Sequence, residues 1–191
     1  MIPLPTSSDP DGLAPGLVKK LEGMPPLNVA WMLARTGWLD EIMATLAAMF
    51  RPQGFPARDR EIMVLRISTL LGAEYPVPQH RFFARAAGMT DEEIQAVIDK
   101  DDRLLDSWTV ELCDLCEEIS RQVTLSEASV RRLSDHYGRN AAVQAIWLMS
   151  WFNMLARFVS STRIPIETPE VLAKGLSGNS SIANSSGKGV R

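Results

Sequence analysis

The chain is poor in the side chains that most often carry polar chemistry: its 191 residues include two histidines, two tyrosines and two cysteines. Two cysteines cannot form a disulfide framework, and they fit a reducing compartment. Cys113 and Cys116, in ELCDLCEE, lack the second cysteine or histidine pair that a four-ligand zinc site requires, so no metal is expected. Long apolar runs are missing as well. The longest, 141–159, is interrupted by Gln144, Ser150, Asn153 and Arg157, which argues against a membrane span. Nor is there an excess of one charge: a net −3 gives no electrostatic reason to expect nucleic acid or an anionic membrane as partner. MIPLPTSSDPDG has neither the basic nor the apolar region of a secretory leader. A cytoplasmic protein of one domain, long enough to bury a real core, is the expectation.

What the sequence does contain is helical periodicity. Apolar residues recur at helix spacing over 13–21, 27–34, 38–50, 106–123, 126–137 and 140–161, with a hinge at Thr36-Gly37 and a loop at 51–56. Thr90 with Glu93 forms a capping box that opens a further helix to about 98, and Ser126 can cap another. No stretch alternates as a strand would, so the fold class is all-α. Residues 1–12 read as an irregular arm, 13–168 as a single all-α domain, and the Ser/Gly/Asn-rich 169–191 as a disordered tail.

The organising stretch is REIMVLRISTLLGAEYPVPQHRFFARAAG, 60–88: one mostly buried helix, a tight joint, and a second helix. Gly72 stops the first helix. Pro76 and Pro78 are expected to hold Tyr75 and Val77 extended, with Pro78 opening the second helix and His80 in its first turn. Glu61, Glu74, Tyr75 and His80 then hang on these two helices and their joint. His80 is either a hydrogen-bonded core histidine or a proton-transfer group held by a nearby carboxylate.

Other candidates have plainer readings beside them. Cys113 and Cys116 lie mid-helix among Glu111, Asp114, Glu117 and Glu118, surroundings that disfavour a thiolate, and they read as buried structural residues. Ser150, Asn153 and Arg157 form a polar stripe on an otherwise apolar helix. It faces a substrate pocket or partner, or it is satisfied within the helix and its neighbours. His136, at a helix C-terminus, reads as structural. Arg60 and Arg66 flank Glu61, with ion pairing as the default and carboxylate recognition as the alternative for both.

RDREIMVLRISTLLGAEYPVPQH followed by ARAAGMTDEEIQAVI resembles the signature region of the carboxymuconolactone decarboxylase family, which shares its fold with the alkylhydroperoxidase D proteins. WFNMLARFVSSTRIPIE is similar to that family's closing helix and tail, so the resemblance spans about 27–167. The redox branch carries Glu, then Cys-x-x-Cys, then His four residues on. In this sequence Glu61 and His80 match the Glu and His, while Ala73 and Pro76 stand where the thiols would be. Thiol peroxidase chemistry is therefore not expected at that site. Glu61, Glu74, Tyr75 and His80 are similar to the cysteine-free decarboxylase branch, whose joint reads closer to EYEW than the EYPV found here.

The resemblance implies a cofactor-free lyase acting on a small cyclic carboxylate or lactone, and a homo-oligomer, trimer or hexamer. On that basis His80 would donate the proton, Glu61 would set its tautomer, Tyr75 would serve the oxyanion, and Glu74, if buried, would be a second acid or base. Arg60, Ser150, Asn153 and Arg157 are the candidate substrate-binding residues. The alternatives are a related acid-base step, isomerisation or lactone opening, on a natural product, and an oligomeric binding protein without catalysis.

Overall fold

Ten consecutive residues of one helix, Asp59–Ser68, are buried, and the other helices pack around it. A computed structural model describes residues 9–177, and all regular structure among them is helical. In chain order the helices are α1 (Pro15–Glu22), α2 (Asn28–Ala34), α3 (Leu39–Met49), α4 (Ala57–Leu70), α5 (Pro76–Ala86) and α6 (Asp91–Asp99). A single 3-10 turn, Asp102–Leu104, follows, then α7 (Ser107–Gln122), α8 (Glu127–Tyr137), α9 (Arg139–Thr162) and α10 (Pro169–Ser177). The all-α expectation is met. No helix among the described residues is long and apolar enough to cross a membrane.

The central helix is covered by α5, α6, α7 and α9. That is why it carries an apolar residue in nearly every direction between Ile62 and Ile67, with no clean stripe. Its start is fixed by polar contacts. Asp59 accepts from the Tyr137 hydroxyl at 2.5 Å and from Trp108 Nε1 at 3.3 Å, tying α4 to α8 and α7. Helix starts elsewhere follow their caps: Thr90 and Glu93 close the capping box, and Asp106 and Ser126 accept from the backbone of Thr109 and Ser129.

The joint between α4 and α5 departs from expectation in one respect. Gly72 does end the first helix, in the left-handed conformation at φ 64°. Tyr75, however, is helical (φ −57°, ψ −46°), and α5 begins at Pro76 with Val77 already inside it. Proline costs no hydrogen bond in a first turn, where amide groups have no intrahelical acceptor, so two prolines are tolerated there. Tyr75 is also pinned by its hydroxyl, which bonds Glu167 and the backbone of Val29. His80 consequently sits in the second turn of α5 rather than the first.

A second correction concerns the C-terminal segment. Residues 169–177, expected to be unstructured, form α10, opened by Pro169 and anchored by buried Leu176. Gly175 lies so close to α2's entry that a β-carbon there would stand 3.0 Å from Leu27. The arm at 1–8 and the tail beyond 177 fall outside the described residues.

Candidate active site

Glu61 and His80 are 19 residues apart, and the turn between α4 and α5 brings them together. Glu61 is fully buried, and its Oε2 lies 2.7 Å from His80 Nδ1. Its other oxygen, Oε1, accepts from Arg60 Nε at 2.7 Å. A carboxylate can only accept, so His80 carries its proton on Nδ1, and Nε2 is the ring nitrogen left for the cavity that His80 lines. The Arg60 guanidinium lies over the Phe50 ring at 4.5 Å. Three phenylalanines hold the imidazole: Phe50, Phe83 and Phe152, with ring centroids 6.1, 5.7 and 5.3 Å away.

In front of His80 is a cavity of about 430 Å³, walled by α2, α3, α5 and α9 and touched by Leu176 of α10. Among its lining residues only Tyr75, Gln79 and His80 bear polar side chains. Two of these are tied to one carboxylate. Buried Glu167 accepts from the Tyr75 hydroxyl at 2.5 Å and from Gln79 Nε2 at 3.1 Å. It also accepts from the Asn28 amide at 2.6 Å. Burial first, and the Glu167 carboxylate second, push the Tyr75 phenol above its ordinary range. Tyr75 is thus a neutral phenol whose one proton is already given to Glu167. In this arrangement it has none for a substrate oxyanion.

The other residues singled out in the sequence are placed as follows. Glu74 is exposed, which removes the condition on which it would act as a second acid or base. Arg60 is buried behind the cavity and does not line it, so its partner is Glu61 and not solvent. Ser150, Asn153 and Arg157 make intrahelical bonds, to Ile146 O, Met149 O and Asn153, and none of them reaches the cavity. Arg66 pairs with Glu117 at 2.6 Å. Cys113 and Cys116 are buried and unbridged; burial pushes the Cys113 thiol up to about 12 and Cys116 well above its ordinary value. His136 stacks flat on Trp108, with centroids 3.5 Å apart. Among the described residues no three His, Cys, Asp or Glu side chains are grouped to hold a metal ion.

Residues 37–104 match the family model of the Carboxymuconolactone decarboxylase family. The matched segment carries α3 through the 3-10 turn, and with them Glu61, Glu74, Tyr75 and His80. It supports the family that the sequence resembles. At the positions which that resemblance gives to redox thiols, the matched segment has Ala73 and Pro76, both buried. No curated protein and no solved structure matches the chain.

Sequence reasoning did not single out Gln79 or Glu167, nor the phenylalanine cage. Gln79 is the neighbour of His80, and Glu167 closes the RIPIE segment that carries part of the resemblance. A carboxylate among Ile164, Pro165 and Ile166 was the available signal for a buried, partnered acid.

Proposed function

We propose that the protein is a proton-transfer enzyme of the carboxymuconolactone decarboxylase type, in which His80 moves the proton and Glu61 positions it. The observation that carries this reading is the pairing of Glu61 with Nδ1 while Nε2 is left for an apolar cavity. In such surroundings charge-charge interactions are stronger than in water, so the Glu61 carboxylate stabilises the imidazolium that forms when Nε2 takes a proton. A substrate whose carbon lies beside a carbonyl would give its proton to Nε2 and leave an enolate. Returning that proton to another carbon completes an isomerisation. A decarboxylation starts instead from the imidazolium, whose Nε2 proton goes to the carbon that CO₂ has left, and in lactone opening water adds to the acyl carbon while Nε2 takes a proton from it and passes one to the leaving alkoxide.

The test is solvent exchange. Candidate cyclic acids and lactones are incubated with the protein in D₂O, and deuterium entering carbon is followed by NMR. The parent protein should incorporate deuterium into at least one of them, and His80→Gln should not. Equal incorporation by the two proteins would remove His80 from the mechanism.

We also propose that the protein is a homo-oligomer. The support is the face of α9 that exposes Val143, Trp147 and Met154, large apolar side chains of the kind that partner surfaces cover. Light scattering at micromolar concentration should give at least a dimer, and a monomer there would end the idea.

A further inference from the structure

We infer that the cavity takes an uncharged, largely apolar molecule which presents a single carbonyl or lactone group to His80, and not a small carboxylate. This deepens the proton-transfer reading and rests on it for which end of the ligand reacts.

The lining is the first support. Among the described residues no lysine or arginine touches the cavity, and the polar side chains lining it reduce to Tyr75, Gln79 and His80. A carboxylate leaving water would need a cation or several free donors to replace its hydration. The Tyr75 proton and one N–H of the Gln79 amide go to Glu167, and Gln79 Oε1, buried without a partner, can only accept. The cation nearest His80 in the bonding network, Arg60, has its Nε engaged by Glu61 and stays behind the wall.

The second support is charge. Glu167 stands directly behind Tyr75 and Gln79, and its three hydrogen-bond donors are a phenol, an amide and a backbone N–H, all neutral. Arg60 against Glu61 and Glu167 leaves this group of residues one negative charge over. With both carboxylates ionised, an imidazolium at His80 only brings the group to neutrality, which leaves no net positive charge to favour an anion.

Size is the third. About 430 Å³ suits a ligand considerably larger than one small ring. The wall from α3 and the residue that follows it, with Met43, Leu46 and Phe50, offers apolar surface for an alkyl or ring substituent. Decarboxylation requires a carboxylate, so among the outcomes of this proton chemistry the cavity selects isomerisation, or lactone opening with water as the co-reactant. Isomerisation balances without another reactant. The C–H electron pair moves into the carbonyl as an enolate, Nε2 holds the proton, and the pair returns to bond that proton at a conjugated carbon.

The experiment is calorimetric binding of a matched series: γ-lactones with alkyl chains of two to eight carbons, and the corresponding open hydroxycarboxylates. Lactone affinity should rise about three- to fourfold per added methylene until the cavity is filled. Each carboxylate should bind at least tenfold more weakly than its lactone. Met43→Arg, placing a flexible cation on the partly exposed wall, should narrow or reverse that gap, with circular dichroism confirming the fold. Carboxylates binding as tightly as lactones, lactones showing no chain-length dependence, or lactones failing to bind at millimolar concentration would each overturn the inference. Binding needs no turnover. A parent protein that binds lactones but exchanges no deuterium would sink the proton-transfer reading and leave the ligand class standing, and the converse result would do the reverse.

Discussion

Glu61 Oε2 lies 2.7 Å from His80 Nδ1, with the glutamate side chain wholly removed from solvent and the histidine nearly so. The same carboxylate is held on its other oxygen by Arg60. A buried anion with two charged or chargeable partners is costly to disturb. Removing one member leaves the rest without compensation, and that loss runs to about 3–5 kcal/mol in buried pairs. On the proposed reading, these bonds keep the imidazole oriented towards the cavity it lines.

The dyad should behave as a unit. His80→Gln should lower turnover by about 10²- to 10⁴-fold, the usual worth of general acid-base help. Glu61→Gln should lower it too, because the amide cannot offset the charge of an imidazolium. On the proposed reading Glu61 acts only through His80, and the double variant should then be no slower than His80→Gln alone. Rates are to be compared at temperatures where circular dichroism shows all three variants folded. Losses that multiply would mean that the two residues act separately.

Burial makes a prediction about the thiols. With Cys113 raised to about 12 and Cys116 well above its ordinary value, the thiolate fraction at pH 8 is negligible in the folded protein. Iodoacetamide should label neither cysteine until denaturant is added, and Cys113→Ser with Cys116→Ser should leave turnover intact. The sign for stability follows from ionisation being easier in the unfolded chain. Relative to an ordinary thiol value of 9.0, stability is undiminished below pH 9 and falls as pH rises towards 12. Tyr75 and Tyr137, raised by burial and then by carboxylate partners, act in the same direction. A urea midpoint that stays flat from pH 8 to pH 11 would refute this.

Much of this architecture was legible because most of its helices announce themselves locally. Thr90 with Glu93, Ser126, Gly72 and the apolar spacing between them are short-range signals, and the structure honours them. Glu61 and His80 were also readable as candidates, since one of only two histidines follows an acid set at the start of a mostly apolar helical run. What failed depended on long-range partners. Tyr75 was expected to be extended because Pro76 follows it, but bonds to Glu167 and Val29, distant in sequence, hold it helical. For Ser150, Asn153 and Arg157 the outcome is local: of the two readings left open, the intrahelical one holds, each finding an acceptor one turn back along α9. Pro169–Ser177 was read from composition alone, and the hydrophobic seat of Leu176 is a tertiary fact. Gln79 and Glu167 matter through each other, and no spacing rule pairs residues 88 positions apart.

Val123 ends α7 in the left-handed region at φ 70°, with its side chain almost entirely in solvent. A β-branched residue there is strained and receives no packing in return. Val123→Gly should therefore stabilise the fold by about 1 kcal/mol, which for a chain of this size raises Tm by roughly 2–4 °C. Scanning calorimetry measures this directly. An unchanged or lower Tm would show that glycine's gain in unfolded-state entropy outweighs the relief of strain.

The last prediction concerns Glu167 and the start of α2. The opening amides of a helix have no intrahelical acceptor, and α2 has no side-chain cap of its own. Its first two amides are satisfied from elsewhere in the chain: Asn28 N by Glu167 Oε1 at 2.6 Å, and Val29 N by the Tyr75 hydroxyl at 3.1 Å. The Asn28 side chain adds a bond to Pro165 O at 2.8 Å, so the segment before α10 is fastened at this one place. Glu167→Ala would leave the Tyr75 hydroxyl, the Gln79 amide and the Asn28 amide short of an acceptor at once. Since an unsatisfied buried group costs about 1–3 kcal/mol and such losses are not additive, a net 2–4 kcal/mol is expected. Tyr75→Phe removes only the Val29 acceptor and one donor to Glu167. Amide hydrogen exchange separates the two variants. In Tyr75→Phe, Val29 should exchange faster while Asn28 keeps its protection. In Glu167→Ala both should speed up, together with the amides of α10, while the core of α4 stays protected. Should Asn28 remain protected without Glu167, the carboxylate is not what caps α2, and the wall behind Tyr75 and Gln79 is held by something else.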